Sequence, residues 1–412
     1  MSHYLDALQK LHTALDSAGP KRDFLEVDRI AGRFPAAVSS RPRNPADISV
    51  WCSNDYLGMG QHPAVLTAMR DTLGASGAGA GGSRNIGGTN GQHVLLEREL
   101  AELHAKDEAL LFTSGYTANE GALSVLAGQI EGCLVFSDEK NHASIIDGLR
   151  HSGAEKRIFR HNDAAHLEEL VSAADPDRPK MIVTESVYSM DGDVAPLSEI
   201  AAIAKRHGAM TFLDEVHAVG MYGPQGAGIA AGLGLADRFT VIMGTLAKGF
   251  GTTGGYIAGP ADLIDVVRRL SRSFIFTTAL PPAVVAGSLA AVRHLRVSDE
   301  ERGRLSENAT LLHRLLKQRR IPFLSDESHI VSVLVGDDAT SRRISDLLLE
   351  RHGIYVQAIN APSVREGREI LRIAPSAVHS TDEVRAFVEA LDGIWQELDQ
   401  RRSGLAAVSA AS

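Results

Sequence analysis

Lys248 follows Val241-Ile242-Met243-Gly244-Thr245-Leu246-Ala247 and precedes Gly249-Phe250-Gly251. An apolar run that reads as a buried strand thus ends in small residues, where backbone approaches a ligand closely. An amine desolvated at such a turn favours its neutral, nucleophilic form, the form that condenses with carbonyls. A lysine at a loop tip is by default a surface group, and the residues upstream reverse that default. Asp214 closes the run Met210-Thr211-Phe212-Leu213-Asp214, and 248 − 214 = 34 places it one helix and one strand before the lysine. Taken alone, Asp214 reads as a helix N-cap. His142 and His217 each follow a strand end, where α/β sheets collect ligand contacts. Thr113-Ser114-Gly115-Tyr116-Thr117 joins a strand at 109–112 to a helix start, so backbone donors and a helix dipole converge on a phosphate-sized spot. The polar turn Cys52-Ser53-Asn54-Asp55-Tyr56 places Asn54 and Tyr56 to face a ligand, although Asn-Asp is also a common turn pair.

These residues need a scaffold, and the chain alternates accordingly. Strand-like runs at 48–51, 109–112, 133–138, 157–160, 181–185, 210–214 and 241–245 are separated by helical stretches. That pattern predicts a mostly parallel sheet covered on both faces, with function at the strand C-termini. The N-terminal stretch 4–32 reads as amphipathic helix broken at Gly19-Pro20, and Ala258-Gly259-Pro260 reads as a turn. After a long helical stretch to about Arg320, strand-like runs at 330–335, 354–359 and 370–373 mark a second, smaller unit. The glycine-rich 77–88 invites a dinucleotide reading, which fails because a helix rather than a strand leads into it.

With 412 residues, 44% of them hydrophobic, the chain can bury a full core. Its formal charge of -9 argues against general affinity for nucleic acid or anionic membrane. Two cysteines, Cys52 and Cys133, leave no room for a disulfide framework or a cysteine-rich metal site, and no metal is expected. A cytoplasmic location is the expectation, since Asp6 and Asp16 interrupt any signal-like N-terminus.

A pyridoxal 5′-phosphate site needs this set of groups. It takes a lysine to hold the aldehyde, an acid facing the ring nitrogen so that the ring accepts electrons from a broken Cα bond, and donors for the phosphate. Residues 51–62 (WCSNDYLGMGQH), 158–163 (IFRHND), 185–193 (ESVYSMDGD), 214–223 (DEVHAVGMYG) and 244–251 (GTLAKGFG) carry a closer resemblance. Over about 22–376 the chain resembles the α-oxoamine synthases, fold-type I pyridoxal-phosphate enzymes that condense an amino acid with an acyl-CoA. Within them it is similar to the branch that joins glycine to succinyl-CoA to give 5-aminolevulinate.

The resemblance implies a large cofactor-binding domain over 51–290 after an N-terminal helical segment 1–50. A small C-terminal α/β domain over 291–400 and a patternless, disordered tail 401–412 complete the expectation. Lys248 would hold the cofactor and move the glycine Cα proton, Asp214 would pair with the ring nitrogen, His217 with the ring hydroxyl, and His142 would stack on the ring. Ser114, Gly115, Tyr116 and Thr245 match phosphate contacts. Thr277 and Thr278 match positions that reach the phosphate from a neighbouring subunit, which implies a homodimer with a shared site. Arg372 and Asn54 match the groups that hold the glycine carboxylate, with Ser189 close to both cofactor and substrate. Arg22, Ser83 and Asn85 match positions around the succinyl carboxylate, Ser137 joins the substrate-binding set, and Arg22 is the group that would separate a charged acyl chain from a fatty one.

Three departures from the pattern stand out. Ser83 replaces a usual threonine, and a methyl-sized change is worth roughly 1–3 kcal/mol in chain-length discrimination. Ala358 replaces a common proline, and residues 363–367 lack a second one, which leaves that lid less restricted. A sister synthase with another acyl-CoA or amino acid, and a non-catalytic nucleotide-binding module built on 77–88, are the alternatives.

Overall fold

The computed structural model describes residues 3–17, 24–39 and 46–410. Its centre is a seven-stranded sheet in the order Glu108–Phe112, Gly255–Gly259, Val241–Thr245, Met210–Asp214, Lys180–Glu185, Leu134–Asp138, Glu155–Phe159. Six strands run in one direction, and Gly255–Gly259 is antiparallel to both neighbours. The interior strands 134–138, 180–185 and 241–245 are buried along their whole length, which is why they read as near-continuous apolar runs. Leu123, Val183, Phe212 and Met243 belong to the core on one face of the sheet; Phe136, Leu197, Leu213 and Ile242 belong to that on the other.

The turn expected at 258–260 is the end of a full strand. Gly-Tyr-Ile-Ala-Gly is short and glycine-flanked, yet Tyr256 and Ile257 are fully buried and pair on both sides. The N-terminus also departs from the helix expected over 4–32, whose break at Gly19-Pro20 lies outside the described residues. His3–Ser17 is helical, whereas Val27–Arg29, Ala36–Ser39 and Ala46–Val50 form an antiparallel set whose last strand pairs in parallel with Ile354–Tyr355. Non-local pairing overrides local helical periodicity there. The smaller unit has a second sheet in which Ile370–Ile373 lies between Val331–Leu334 and Gln357–Ile359, covered by the helices Glu300–Arg319, Asp338–His352 and Thr381–Ala410. The backbone stays helical through Ala410, into the segment whose sequence shows no pattern. Among the described residues, no helix is long and apolar enough to cross a membrane.

Candidate active site

Strand C-termini deliver the expected residues to one place. Gly115, Tyr116, Asn119, His142, Glu185, Asp214, His217, Thr245 and Lys248 line a single cavity of about 170 Å³. Lys248 sits in a turn closed by Gly251 N donating to Lys248 O (2.9 Å) and Thr252 N donating to Leu246 O (2.9 Å). Glycines let that turn seat against two other motif stretches. A Cβ on Gly249 would meet Val219 O at 2.6 Å, and one on Gly251 (φ 69°) would meet Gly60 N at 2.1 Å. Gly251→Ala is therefore expected to lose about 3 kcal/mol of stability or more, since left-handed backbone and overpacking each contribute about 1–3 kcal/mol. An unchanged thermal midpoint in that variant would contradict the packing described.

The hydrogen-bond network fixes the proton positions around the amine. Tyr56 Oη donates to Asn54 Oδ1 (2.9 Å) and accepts from Arg372 Nη2 (3.0 Å). Its remaining lone pair faces His217 Nδ1 at 3.1 Å, so Nδ1 carries the imidazole proton. His217 Nε2 then presents a lone pair to Lys248 Nζ, 2.7 Å away. Burial keeps His217 neutral, well below the usual histidine range, and the Lys248 and Arg372 charges act the same way. Burial also lowers the Lys248 amine to about 7, against the pull of Asp214 and with the help of Arg372.

Asp214 is 4% exposed, and neutral donors hold both of its oxygens: Asn119 Nδ2 at 2.7 Å and Val216 N at 2.8 Å. Burial pushes its carboxyl upward, opposed by those two donors and by the charges of Lys248 and His142. His142 caps the helix Ala143–Ser152, its Nδ1 accepting from Ser144 N (3.2 Å) while its backbone N donates to Glu185 Oε1 (2.6 Å). Ser114 caps the helix Gly115–Gly128 in a reciprocal pair with Thr117, which leaves the first N–H groups of that helix at the cavity. Thr245 Oγ1 donates to Gly254 O (2.9 Å) and accepts from Ala247 N (3.2 Å).

The donor set fits pyridoxal phosphate. A buried carboxylate held by neutral groups matches a protonated ring nitrogen, a helix N-terminus matches a phosphate, and an amine lowered to about 7 matches the aldehyde. Arg372, 7% exposed, donates through Nε to Ser189 O (2.7 Å) and reaches Asn54 Oδ1 from Nη1 (3.4 Å), which brings those three substrate-side candidates together. Ser189 also opens onto a second cavity of about 480 Å³, lined by Lys140, Tyr188, Arg365 and Arg368 among others.

Other expected residues lie elsewhere. Ser83 bridges to Thr278, and Ala279 N donates to Gly82 O (2.9 Å), so Ser83, Thr277 and Thr278 form a group separate from the residues lining the Lys248 cavity, with exposed Asn85 on the same loop. Ser137 is not among the residues lining the Lys248 cavity, and its buried hydroxyl accepts from Asn141 Nδ2 (2.9 Å). Arg22 falls outside the described residues. Sequence reasoning gave no role to Asn119 or Glu185, whereas Tyr56 was expected to face a ligand and lies between Asn54, His217 and Arg372. Asn119 shares a helix face with Gly115, four residues earlier, and that spacing was its available signal.

The model for class I and II aminotransferases matches residues 46–391. 5-Aminolevulinate synthase 2 of Cereibacter sphaeroides is 53% identical over 400 residues, covering 97% of this chain and 98% of that protein. The 5-aminolevulinate synthase of Rhizobium meliloti is 54% identical, covering 96% of each. Among solved structures, a serine palmitoyltransferase from S. paucimobilis with bound PLP-myriocin aldimine superposes with a TM-score of 0.88 at 32% identity, over 96% of this chain and 98% of the other. With a fold-type I scaffold, a cavity suited to pyridoxal phosphate and relatives this similar over nearly the whole length, the chain belongs to the class I and II aminotransferase family and, within it, to the 5-aminolevulinate synthases.

Proposed function

We propose that the chain condenses glycine with succinyl-CoA, releasing CoA and carbon dioxide, to form 5-aminolevulinate. The observation that carries this reading is the lysine–histidine–tyrosine–arginine run, which joins the Lys248 amine through His217 and Tyr56 to Arg372 by contacts of 2.7, 3.1 and 3.0 Å. When bound, pyridoxal phosphate supplies an electron sink for the Cα of an amino acid. The chain's residues supply the rest. Arg372, with Asn54 beside it, binds the glycine carboxylate through a planar fork and so fixes which Cα bond is presented for cleavage. Lys248 Nζ takes and returns the Cα proton, and His217 Nε2 keeps a lone pair on it. Asp214 holds a positive charge opposite, and His142 covers one face of the cavity.

The acyl-CoA is assigned to the 480 Å³ cavity, whose Arg365 and Arg368 suit a phosphate-bearing chain. We further propose a homodimer. Ile86 and Phe276 are 78% and 72% exposed beside the Ser83–Thr278 bridge, an apolar surface that a second copy would cover while bringing Thr277, Thr278, Ser83 and Asn85 to its partner's cavity. A cytoplasmic location accords with two free cysteines. The test is a panel of acyl-CoAs assayed with glycine, alanine and serine. Glycine with succinyl-CoA is expected to give the highest kcat/KM, and preference for a fatty acyl-CoA would move the chain to a sister synthase.

A further inference from the structure

The stretches 158–163 and 185–193 contribute one residue, Glu185, to the Lys248 cavity, yet they meet each other at a half-buried charge cluster. His161 Nδ1 lies 2.9 Å from Asp138 Oδ1 and its Nε2 lies 2.7 Å from Asp193 Oδ2. Carboxylates only accept, so both ring nitrogens must donate and the ring is an imidazolium. His161, Asp191 and Asp193 have the spacing of a cation site, and the imidazolium itself supplies the positive charge there. Burial lowers the His161 pKa, but hydrogen bonds to Asp138 and Asp193 and their charges outweigh it and raise the ring to about 9. Asn162 reinforces the cluster, donating through N to Asp138 Oδ2 (2.9 Å) and through Nδ2 to Asp193 Oδ2 (3.0 Å), and the Tyr188 ring stands edge-to-face with His161 at 4.4 Å.

Asp193 and Tyr188 belong to one hairpin. Tyr188 N donates to Asp193 O (3.1 Å), Gly192 N to Tyr188 O (2.9 Å) and Ala195 N to Ser186 O (3.0 Å). The tip of this hairpin carries Ser189, whose carbonyl accepts from Arg372 Nε. Its far side is tied to the smaller unit, where Ser328 Oγ donates to Gly192 O (2.6 Å) and Ser332 Oγ donates to Met190 O. Ser332 pairs with Arg372 across the sheet. The hairpin therefore connects the large sheet to the strand that carries the arginine.

We infer that His161 is a positioning residue for the substrate carboxylate: by bridging Asp138 and Asp193 it pins the 186–195 hairpin, and through the Ser189 carbonyl it aims the Arg372 guanidinium. This rests on the reading of Arg372 as the carboxylate group given above. The geometric lever is long enough to matter, because a misplacement on the order of 1 Å of a substrate-orienting group costs up to about 10²-fold.

The experiment uses the wild-type holoenzyme and the His161→Asn and Asp193→Asn holoenzymes, each titrated by visible absorbance with glycine and with methylamine, which has the amine and lacks the carboxylate. His161→Asn removes the bridge; Asp193→Asn keeps the His161–Asp138 pair and so serves if the first variant fails to fold. Glycine Kd is expected to rise roughly 10- to 100-fold in His161→Asn and by a smaller factor in Asp193→Asn, while methylamine Kd stays within about twofold. Glycine Kd equal to wild type in folded variants overturns the inference. So does a rise shared equally by methylamine, which marks general loss of structure. A wild-type holoenzyme that binds methylamine as tightly as glycine overturns instead the carboxylate reading of Arg372, so the two failures are distinguishable.

Discussion

Lys248→Ala is expected to lower kcat by at least about 10³-fold, the upper part of the range for one positioned acid–base group, while leaving the fold intact. The side chain makes one side-chain hydrogen bond, to His217, and it occupies a cavity wall rather than a packed core, so its removal takes little from folding. What is lost is the amine whose burial lowers it to about 7 and whose neighbour offers a lone pair. The same shift sets a pH dependence. A depressed lysine pKa means the neutral base predominates above about 7, so wild-type turnover is expected to rise with pH through that value and then level off. Borohydride treatment of the wild type should leave the pyridoxyl group on the peptide containing residue 248 and nowhere else. Residual turnover within tenfold of wild type, or labelling of another lysine, would remove Lys248 from its assigned role.

Much of this site was legible because single strands carry it. Val241–Thr245 is buried throughout, opens with an apolar run and ends at a small-residue turn, so the lysine announces itself; Asp214 and Ser114 also stand at or just past ends of strands whose runs are unmistakable. The fold-type I scaffold implied by the resemblance is the scaffold found. The remainder depends on contacts distant in sequence. Arg372 reaches Tyr56 across 316 residues and His217 reaches Tyr56 across 161, and no periodicity encodes such a meeting. Gly255–Gly259 was hidden because two glycines weaken its strand signal, and its identity comes from being paired on both sides. Val27–Arg29 was hidden because its partner strand, not its own composition, makes it extended. Ser137 shows the same limit: this strand-end serine accepts from Asn141 Nδ2, a contact that no local pattern announces.

Asp214→Asn separates stability from activity more sharply than any other single change. Asparagine has the same shape, but its one carbonyl oxygen can accept from either Asn119 Nδ2 or Val216 N and not from both, and the charge opposite the cofactor is gone. Removing one partner of a buried ion pair costs about 3–5 kcal/mol, so turnover of the variant is expected to fall roughly 10²- to 10³-fold. The cofactor-free chain should respond in the opposite direction. There Asp214 is a buried carboxylate whose pKa is raised above its unfolded value, so the native state binds more protons than the unfolded one and stability falls as pH rises above the ordinary carboxylate range. Asp214→Asn deletes that share of the loss while giving up one hydrogen bond, so the midpoint of its cofactor-free form is expected to fall less than that of the wild type as pH rises from mildly acidic to neutral, while its turnover collapses. Thermal melts of both cofactor-free proteins, set beside kcat of both holoenzymes, read the two effects independently. A variant that keeps turnover within tenfold would show that the carboxylate does not face the ring, and one whose cofactor-free midpoint falls with pH as steeply as that of the wild type would show that Asp214 is not the source of that loss.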